Sequence, residues 1–384
     1  LTVPALSDGL RTTLAGFLPK AAGLGNPIDL IASAGPDEYR RSIEAVLRSD
    51  EVDALIVIHI PVGLVPEPAV SKAIREGVAA ARATGKPVLG CWMGEATEPS
   101  SQEAGASTGD DLPTYPFPEL PARVLAMAAR YGEWRVRPTG VVVDFEDMDW
   151  DHARGTCRQA LEARGGGWLT ANETRAVLTA LRLPVPAGGV ARTVDDAVSL
   201  AEKIGYPVAA KLASHQIVHK TEMGVIHLRL SSADEVRAAF TRIRERLVES
   251  DQLDAMEGVL IQPMISGGLE VMVGVTQDPL FGPLLAFGLG GIHVEILRDV
   301  AFRITPLTDQ DAREMVREIK GFRLLEGYRG HPPADVQAIE EILLRLSRFV
   351  EEIHEVTELD LNPVFALAPG EGCRIVDARI KVGA

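Results

Sequence analysis

The clearest chemical pattern in the chain is a set of oxygen-bearing side chains near the C-terminus. In ELDLNP (358–363) apolar and polar residues alternate, which is typical of a strand and places Glu358, Asp360 and Asn362 on one face. CRIVDARI (373–380) alternates similarly after a short acidic turn, so we expect a hairpin with Asp377 close to that face. Oxygen ligands on a rigid ribbon suit a hard cation such as Mg²⁺, held between protein and nucleotide phosphates. The polar outer face of an edge hairpin has the same pattern, so both interpretations stay open.

A lysine and several glycines upstream supply what a metal–nucleotide site still needs. GYPVAAKLAS (205–214) predicts an apolar strand, and the Lys211 ammonium at its end either reaches solvent or points at an anion in a cleft. A polar loop, HQIVHKTEMG (215–224), follows. Further along, three glycines leave backbone amides free to approach phosphate oxygens: Gly288, Gly290 and Gly291. Glycines mostly mark turns, so only the combination of lysine strand, glycine loop and carboxylate–asparagine hairpin indicates a nucleotide site.

Composition excludes several other functions. A chain of 384 residues predicts two or three domains, and its net charge of −15 argues against a nucleic-acid partner. No apolar run is long enough for a signal peptide or membrane span. Three separated cysteines, Cys91, Cys157 and Cys373, lack metal-ligand spacing and indicate a reducing compartment, hence a cytoplasmic location. Because the chain opens without methionine, we expect a fragment or processed piece of a larger protein.

The pattern of elements predicts an α/β protein in two parts. Residues 53–60 and 87–93 are short apolar runs joined by a helical segment at 70–85, a β-α-β unit that predicts a parallel doubly wound sheet. The acidic run DFEDMDWD (144–151) resembles a metal cluster, but a solvated turn capping the next helix explains it better. We expect one domain over 1–130, a linker and helix over 131–164, and a second domain over 165–384.

The N-terminal segment GNPIDLIASAGPDEYRRSI (25–43) predicts a possible anion site. Asn26 ends a turn, IDLIA (28–32) is expected to form a strand, and Pro36 opens a helix whose first amides are free. A simple turn at Asn26–Pro27 explains the same residues without a ligand.

The order of these motifs resembles the ADP-forming acyl-CoA synthetases over nearly the whole chain. The resembling stretches include GYPVAAKLAS, IVHKTEMG, GVLIQPM, DPLFGPLLAFGLGGIHVEILRDVAFR and ELDLNP with VDARI. The resemblance implies a flavodoxin-like parallel-sheet domain followed by a two-lobed ATP-grasp domain. It also implies that Lys211 contacts ATP phosphates, that Gln262–Met264 lies beside the adenine, and that Asn362 and Asp377 bind Mg²⁺. The residues it places at ATP or ADP are Lys211, Lys220, Glu222, Gly224, Gln262, Pro263, Met264, Glu270, Gly290, Gly291 and Arg303. Val225 stands where the family usually has a second glycine after Gly224, which removes one expected backbone–phosphate contact.

The first half resembles the domain that follows the ATP-grasp in the succinyl-CoA synthetase beta subunit. The resemblance implies that Asn26 lies near the acyl substrate, that the helix opened by Pro36 faces a phosphorylated histidine, and that the loop containing Gly63 lines the same site. The Ser-His-x-Gly-Ala segment that carries this histidine does not occur in the chain. His219, beside Lys220, is the one histidine we expect to relay or orient phosphate. The others outside this loop, such as His59, are expected to be structural.

The resemblance therefore predicts the nucleotide-binding part of an acid–CoA ligase that forms acyl-CoA, ADP and phosphate through a phosphohistidine. CoA would be bound mainly by an upstream domain or an alpha-type subunit, and the second substrate would be a small carboxylic acid. We also expect self-association into a homo-oligomer. The alternative is a ligand-sensing module of a protein-lysine acetyltransferase without ligase turnover. The nature of the acyl group is not encoded in a recognisable motif.

Overall fold

The computed structural model describes residues 1–61, 66–93, 112–217, 223–291, 299–330 and 332–383. The chain divides into two compact units, Leu1–Arg137 and Pro138–Ala384. Within the described ranges, no helix is both long and apolar enough to cross a membrane.

The first unit contains a parallel three-stranded sheet in the order β1-β2-β3. Its elements are α1 (Asp8–Ala15), α2 (Pro36–Arg48), β1 (Leu55–His59), α3 (Glu67–Ala80), β2 (Val88–Trp92), β3 (Thr114–Tyr115) and α4 (Glu119–Val136). Helices α2 and α3 bury Ile43, Leu47 and Ile74 against Val57 of β1. The parallel β-α-β arrangement predicted from the apolar runs is confirmed.

One element predicted in this unit is wrong. The segment 28–32 is not a strand, and only an isolated bridge joins Gly23 and Asp29. The Asp29 carboxylate accepts a hydrogen bond from the Ile31 amide at 2.9 Å, and Ile31 adopts a left-handed φ of 59°. This local turn satisfies the backbone through a side chain, so the chain cannot continue as an extended ladder.

The second unit contains two sheets and the helices that cover them. Its first elements are α5 (Trp150–Arg164), β4 (Gly167–Trp168), α6 (Ala171–Ala180), β5 (Gly189–Ala191), α7 (Val194–Ile204), β6 (Val208–Ala213), β7 (Ile226–Leu230), α8 (Ala233–Glu249) and β8 (Gly258–Pro263). They are followed by β9 (Leu269–Asp278), β10 (Gly282–Leu289), β11 (Val300–Ile304), α9 (Asp309–Glu318), α10 (Phe322–Leu325), α11 (Val336–Glu352), β12 (Val356–Ala366), β13 (Cys373–Ile375) and β14 (Ala378–Val382).

The smaller sheet, in the order β5-β8-β6-β7, has two different faces. Even-numbered residues of β6, such as Val208 and Leu212, pack with Val259 and Ile261 of β8 into the core under α7 and α8. Since side chains alternate along a strand, Lys211 of β6 and Gln262 of β8 lie on the opposite face. The sequence pattern of this lobe therefore separates a core face from a face available to a ligand.

The larger sheet has the order β11-β10-β9-β12-β14-β4, with β13 added to β12. Alternate residues of its strands form the main core with α9 and α11, including Val273, Phe287 and Leu361. Glu358, Asp360 and Asn362 alternate with core residues along β12 and therefore share the other face.

The predicted C-terminal hairpin is confirmed with one correction. β12 pairs antiparallel with both β13 and β14, but CRIVDARI is two short strands separated by Val376 and Asp377. Asp377 is therefore in a gap in the ladder and not on a continuous strand.

The acidic run before α5 acts as a helix cap, as predicted. Asp149 accepts a hydrogen bond from the His152 amide at 3.0 Å. The run is not wholly solvated, however, because Arg345 of α11 binds both carboxylate oxygens of Asp147, at 2.9 and 3.1 Å. The Arg345 guanidinium also lies 4.2 Å from the centre of the Phe145 ring. These contacts attach the irregular segment before α5 to the large-sheet lobe.

Candidate nucleotide-binding site

A buried lysine and a buried glutamine from the small sheet converge on one carbonyl of the large sheet. Lys211 Nζ donates to the Val376 carbonyl oxygen at 3.1 Å, and Gln262 Nε2 donates to the same oxygen at 3.2 Å. Both side chains are at most 7% exposed, which excludes the alternative of a lysine reaching solvent. Because a buried ammonium is stable only when it is hydrogen-bonded or paired, this lysine marks a place built for a negative partner.

The carbonyl of Val376 belongs to the gap between β13 and β14, next to Asp377. The Asn362 amide donates to the Asp377 carbonyl at 3.2 Å, and the Val376 amide donates to Pro363 at 3.1 Å. On its other side β12 has a register shift between Leu361 and Val364, so Asn362 and Pro363 bulge away from β9. Bulges re-aim side chains at sheet edges and next to active sites. The structure thus brings Asn362 and Asp377 side by side, as predicted, because the bulge in β12 lies next to the gap between β13 and β14.

Three carboxylates and two basic side chains share this end of the sheet, and Lys381 Nζ lies 3.6 Å from Glu358 Oε2. Burial raises the pKa of Asp360, the neighbouring carboxylates of Asp377 and Glu358 raise it further, and the Arg379 guanidinium opposes them. Asp360 pairs with Arg379 across β12 and β14. Like charges crowded in this way favour binding of a cation.

The oxygen atoms around Asp377 supply part of the ligand set that Mg²⁺ requires. Asp377 and Asn362 offer one carboxylate and one amide oxygen, and within the described ranges no group of three or more His, Cys, Asp and Glu is arranged to hold a metal alone. Mg²⁺ commonly binds one or two carboxylates together with substrate phosphates and waters. The residues therefore fit a metal that arrives with a polyphosphate.

The predicted glycines lie at the end of β10 beside Glu270. The Gly290 amide donates to the Glu270 carbonyl at 2.7 Å. Gly291 has a left-handed φ of 64°, and a Cβ there would lie 3.1 Å from Glu270 Oε2. A larger residue at either position would therefore crowd Glu270, whose own side chain is exposed.

The other predicted nucleotide residues are placed as follows. Pro263 ends β8, and the Met264 amide donates to the Pro207 carbonyl at 3.0 Å. Gly224 is left-handed, with a φ of 67°, and the following Val225 is buried in the small-lobe core. Val225, which stands where the family usually has a second glycine, thus packs into this core. His219, Lys220 and Glu222 lie outside the described residues, as does Gly63 of the first unit.

Arg303 is a predicted residue whose contacts lie away from Lys211 and Asp377, and Glu270, Gly290 and Gly291 likewise do not line the cleft around them. The guanidinium of Arg303 is 2.5 Å from Glu318 Oε2 of α9 and donates to the Phe302 carbonyl at 2.9 Å. Neither partner belongs to the set around Lys211 and Asp377, so its contact with ATP stays a prediction.

In the first unit, Asn26 is exposed and its side-chain amide donates to the Pro4 carbonyl at 3.0 Å. Pro36 opens α2, and the Gly35 amide before it donates to Glu38 Oε2 at 3.0 Å. The helix does begin where it was expected. The anion site at its N-terminus stays a prediction.

Sequence reasoning did not single out three residues that line the same cleft as Lys211, Gln262 and Asp377: Arg175 of α6, Arg379 of β14 and His215. Arg175 donates to the Pro186 carbonyl at 2.7 Å, which fixes it at the cleft wall. The sequence signals were weak: His215 adjoins the strand that contains Lys211, and Arg379 lies within the quoted stretch VDARI.

The family model for the ATP-grasp domain matches residues 159–382, more than half of the chain. This range contains both sheets of the second unit and all of the cleft residues described above. Fold and site together define an ATP-grasp protein.

Curated relatives narrow the class further. The chain is 34% identical to acetate–CoA ligase [ADP-forming] I of Archaeoglobus fulgidus over 369 residues, covering 96% of this chain and 51% of that protein. It is 47% identical to the beta subunit of acetate–CoA ligase [ADP-forming] II of Pyrococcus furiosus over 219 residues, covering 57% of this chain and 93% of that subunit. The chain belongs to the family of ADP-forming acid–CoA ligases. Relatives that align with nearly all of this chain are about twice as long, so the chain spans about half of their length.

A solved structure agrees with this assignment. A chain of acetyl-coenzyme A synthetase 1 from Ca. Korarchaeum cryptofilum is 36% identical, with a TM-score of 0.52, and the match covers 60% of this chain and 99% of that one. That protein was solved with coenzyme A and Mg-AMPPCP, its phosphohistidine segment pointing towards the nucleotide binding site.

Proposed function

We propose that this chain is the nucleotide-binding part of an ADP-forming acid–CoA ligase. In the proposed reaction a small carboxylic acid, ATP and CoA give acyl-CoA, ADP and phosphate. The supporting observation is the convergence of Lys211 and Gln262 on the carbonyl next to Asp377, with Asn362 alongside. A cation, an amide donor and two metal-suited oxygens at one cleft are the parts that phosphoryl transfer requires.

Each group has a role that follows from its position. Lys211 would leave the Val376 carbonyl for the phosphates, where an ammonium forms stronger, charge-assisted hydrogen bonds. Asn362 and Asp377 would hold Mg²⁺, which when bound supplies neutralisation of charge on the phosphate oxygens. Gln262, Pro263 and Met264 would line the adenine, and the amides of Gly290 and Gly291 would approach phosphate oxygens.

The acceptor of the phosphoryl group is proposed to be a histidine on the CoA-binding part of the protein. Relatives occur both as fused chains of about twice this length and as separate beta subunits, which supports an upstream domain or an alpha-type subunit as partner. Transfer forms a bond between a ring nitrogen and the terminal phosphorus, and ADP leaves. The phosphoryl group would then activate the carboxylate, from which CoA displaces phosphate.

We also propose the domain limits 1–130, 131–164 and 165–384, with Asn26 and Gly63 of the first domain near the acyl substrate. The curated relatives are ligases, and this supports ligase turnover over a regulatory module of an acetyltransferase.

The function is tested by reconstitution with the CoA-binding half. The mixture, given γ-labelled ATP, should acquire an acid-labile label, and adding CoA with a carboxylic acid should discharge it and release acyl-CoA and ADP. This chain alone should bind Mg-ATP without forming acyl-CoA. AMP as the nucleotide product, or no acyl-CoA with any acid tried, would contradict the assignment. His219→Ala in the same assay separates a relay, with slower labelling at unchanged ATP affinity, from a passive loop residue.

A further inference from the structure

A histidine–carboxylate pair lies at one end of the candidate nucleotide cleft. His215 Nδ1 is 2.7 Å from Glu257 Oε1, and the His215 backbone amide donates to the same oxygen at 2.7 Å. Glu257 is itself fixed, because its amide donates to the Ala213 carbonyl at 2.9 Å. The imidazole is thus held through its ring and its backbone by one carboxylate, in the way that carboxylates orient functional histidines.

The pair lies at the end of the β6–β8 strand pair that is away from the residues predicted to line the adenine. Across β6 and β8, Ala209 pairs with Gln262 and Ala213 pairs with Gly258. His215 and Glu257 therefore lie beyond the end of the strand pair that is opposite to Gln262 and Met264. His215 also lines the same cleft as Lys211 and Asp377.

The backbone at the exit of β6 also keeps the histidine in place. Ser214, which is 7% exposed, accepts hydrogen bonds from the amides of Gln216 and Ile217 at 3.2 and 3.1 Å. This turn closes the exit from β6 and holds His215 at the cleft wall. No described residue hydrogen-bonds Nε2 of its ring.

We propose that His215 is a further nucleotide-contacting residue that donates from Nε2 to the polyphosphate while Glu257 holds Nδ1. The inference rests on the proposed function, since it places a further side chain of this cleft at the same nucleotide. Donation from both ring nitrogens, to the carboxylate on one side and the phosphate on the other, corresponds to the imidazolium form of the ring in the complex. Glu257 is then a positioning residue, which acts on the nucleotide only through His215.

The test compares binding of Mg-ATP, Mg-ADP and AMP by titration calorimetry on the full chain. His215→Asn preserves a donor for Glu257 but removes the reach of Nε2, so ATP binding should weaken about ten-fold while AMP binding changes little. Glu257→Gln should weaken ATP binding less, and the double variant should be no weaker than His215→Asn. The exposed His354, changed to Asn, is the matched control and should bind as the wild type does.

Melting temperatures verify folding, and His215→Gln replaces the Asn variant if that one is unstable. Equal loss of affinity for all three nucleotides would assign His215 a structural role and overturn the proposal, as would unchanged ATP binding. A wild-type chain that fails to bind Mg-ATP overturns the proposed function itself, and this inference with it.

Discussion

The two sheets that contribute to the cleft supply functional side chains in different ways. On the small sheet, Lys211 and Gln262 are interior residues of regular strands, opposite to a face packed under helices. On the large sheet, Asn362 lies in a bulge and Asp377 in a gap between two strands. On the regular strands the side chains project from the sheet at positions set by the strand. In the bulge and the gap, a backbone carbonyl leaves the strand ladder and the neighbouring side chains turn towards the cleft. The carbonyl of Val376 is the point where the two arrangements meet.

This difference predicts which changes affect binding and which affect the fold. A side chain on a regular strand can be replaced by an isosteric apolar residue without disturbing the ladder. A residue in a gap contributes both its side chain and the local backbone geometry, so its replacement tests whether the irregularity depends on that side chain.

The largest expected effect is that of Lys211→Met. The variant keeps the length of the side chain inside an otherwise apolar strand and removes only its charge. Loss of charge-assisted hydrogen bonds to phosphate is expected to cost on the order of 1.5–3 kcal/mol, or roughly a 10- to 150-fold weaker Kd for ATP. Calorimetry measures the Kd, and thermal unfolding should show no loss of stability. Lys203→Met, on an exposed position of α7, is the matched control. Unchanged ATP affinity in Lys211→Met would mean that the buried ammonium serves the fold and not the nucleotide.

Asp377→Ala is expected to have the next largest effect, and it acts on the other sheet. Mg-ATP should stabilise the wild-type chain by mass action, and the variant should lose the Mg²⁺-dependent part of that stabilisation, roughly ten-fold in affinity. The binding that remains in EDTA should be equal in variant and wild type. Melting curves with ATP in Mg²⁺ and in EDTA provide the comparison, with the exposed Asp254→Ala as control. An equal loss in EDTA would show that Asp377 shapes the gap and not a metal site.

The same contrast explains what was predictable from the sequence. Alternation of apolar and polar residues predicted β12 and the face on which Asn362 lies. An apolar run predicted β6, whereas Gln262 was assigned to the nucleotide only by the family resemblance. Alternation did not predict the gap at Val376. The alternation in CRIVDARI changes phase at the adjacent apolar residues Ile375 and Val376, but this pair alone does not distinguish a gap from a continuous strand. The sequence pattern also assigned 28–32 to a strand, where a side-chain turn at Asp29 overrides the apolar pattern. His215 was overlooked because its partner, Glu257, is distant in sequence and only strand pairing brings the two together.

A third prediction concerns another irregular stretch of the same unit, the segment before α5. The Arg345 guanidinium lowers the pKa of Asp147, so the carboxylate stabilises the fold above the pKa of the unfolded chain and loses this effect as pH falls through the folded pKa. Asp147 is half exposed and solvent screens the pair, so Asp147→Asn should lower the free energy of unfolding by no more than about 1 kcal/mol at pH 7. The difference from wild type should shrink below about pH 4.

Urea denaturation at several pH values measures this difference in unfolding free energy, with the exposed Glu146→Gln as control. A difference that is the same at every pH would exclude the ion pair as its cause.

The smallest expected effect is on thiol labelling, which tests whether the backbone around the gap beside Asp377 opens locally in the folded chain. Cys373 begins β13, three residues before Val376, whereas Cys157 lies in α5, and burial raises the pKa of each thiol to about 12. At pH 8 only about one thiol in 10⁴ is then ionised, so neither should react with a thiol reagent while the chain is folded. Labelling followed by peptide mass spectrometry measures the two rates separately, and denaturant should make them equal. Faster labelling of Cys373 than of Cys157 in the folded chain, slowed by Mg-ATP, would contradict this expectation and show that the gap opens locally. Equal and negligible labelling, with or without nucleotide, would show that the irregular side of the cleft is as rigid as the regular one. The contrast between the two sheets would then be one of geometry and not of local stability.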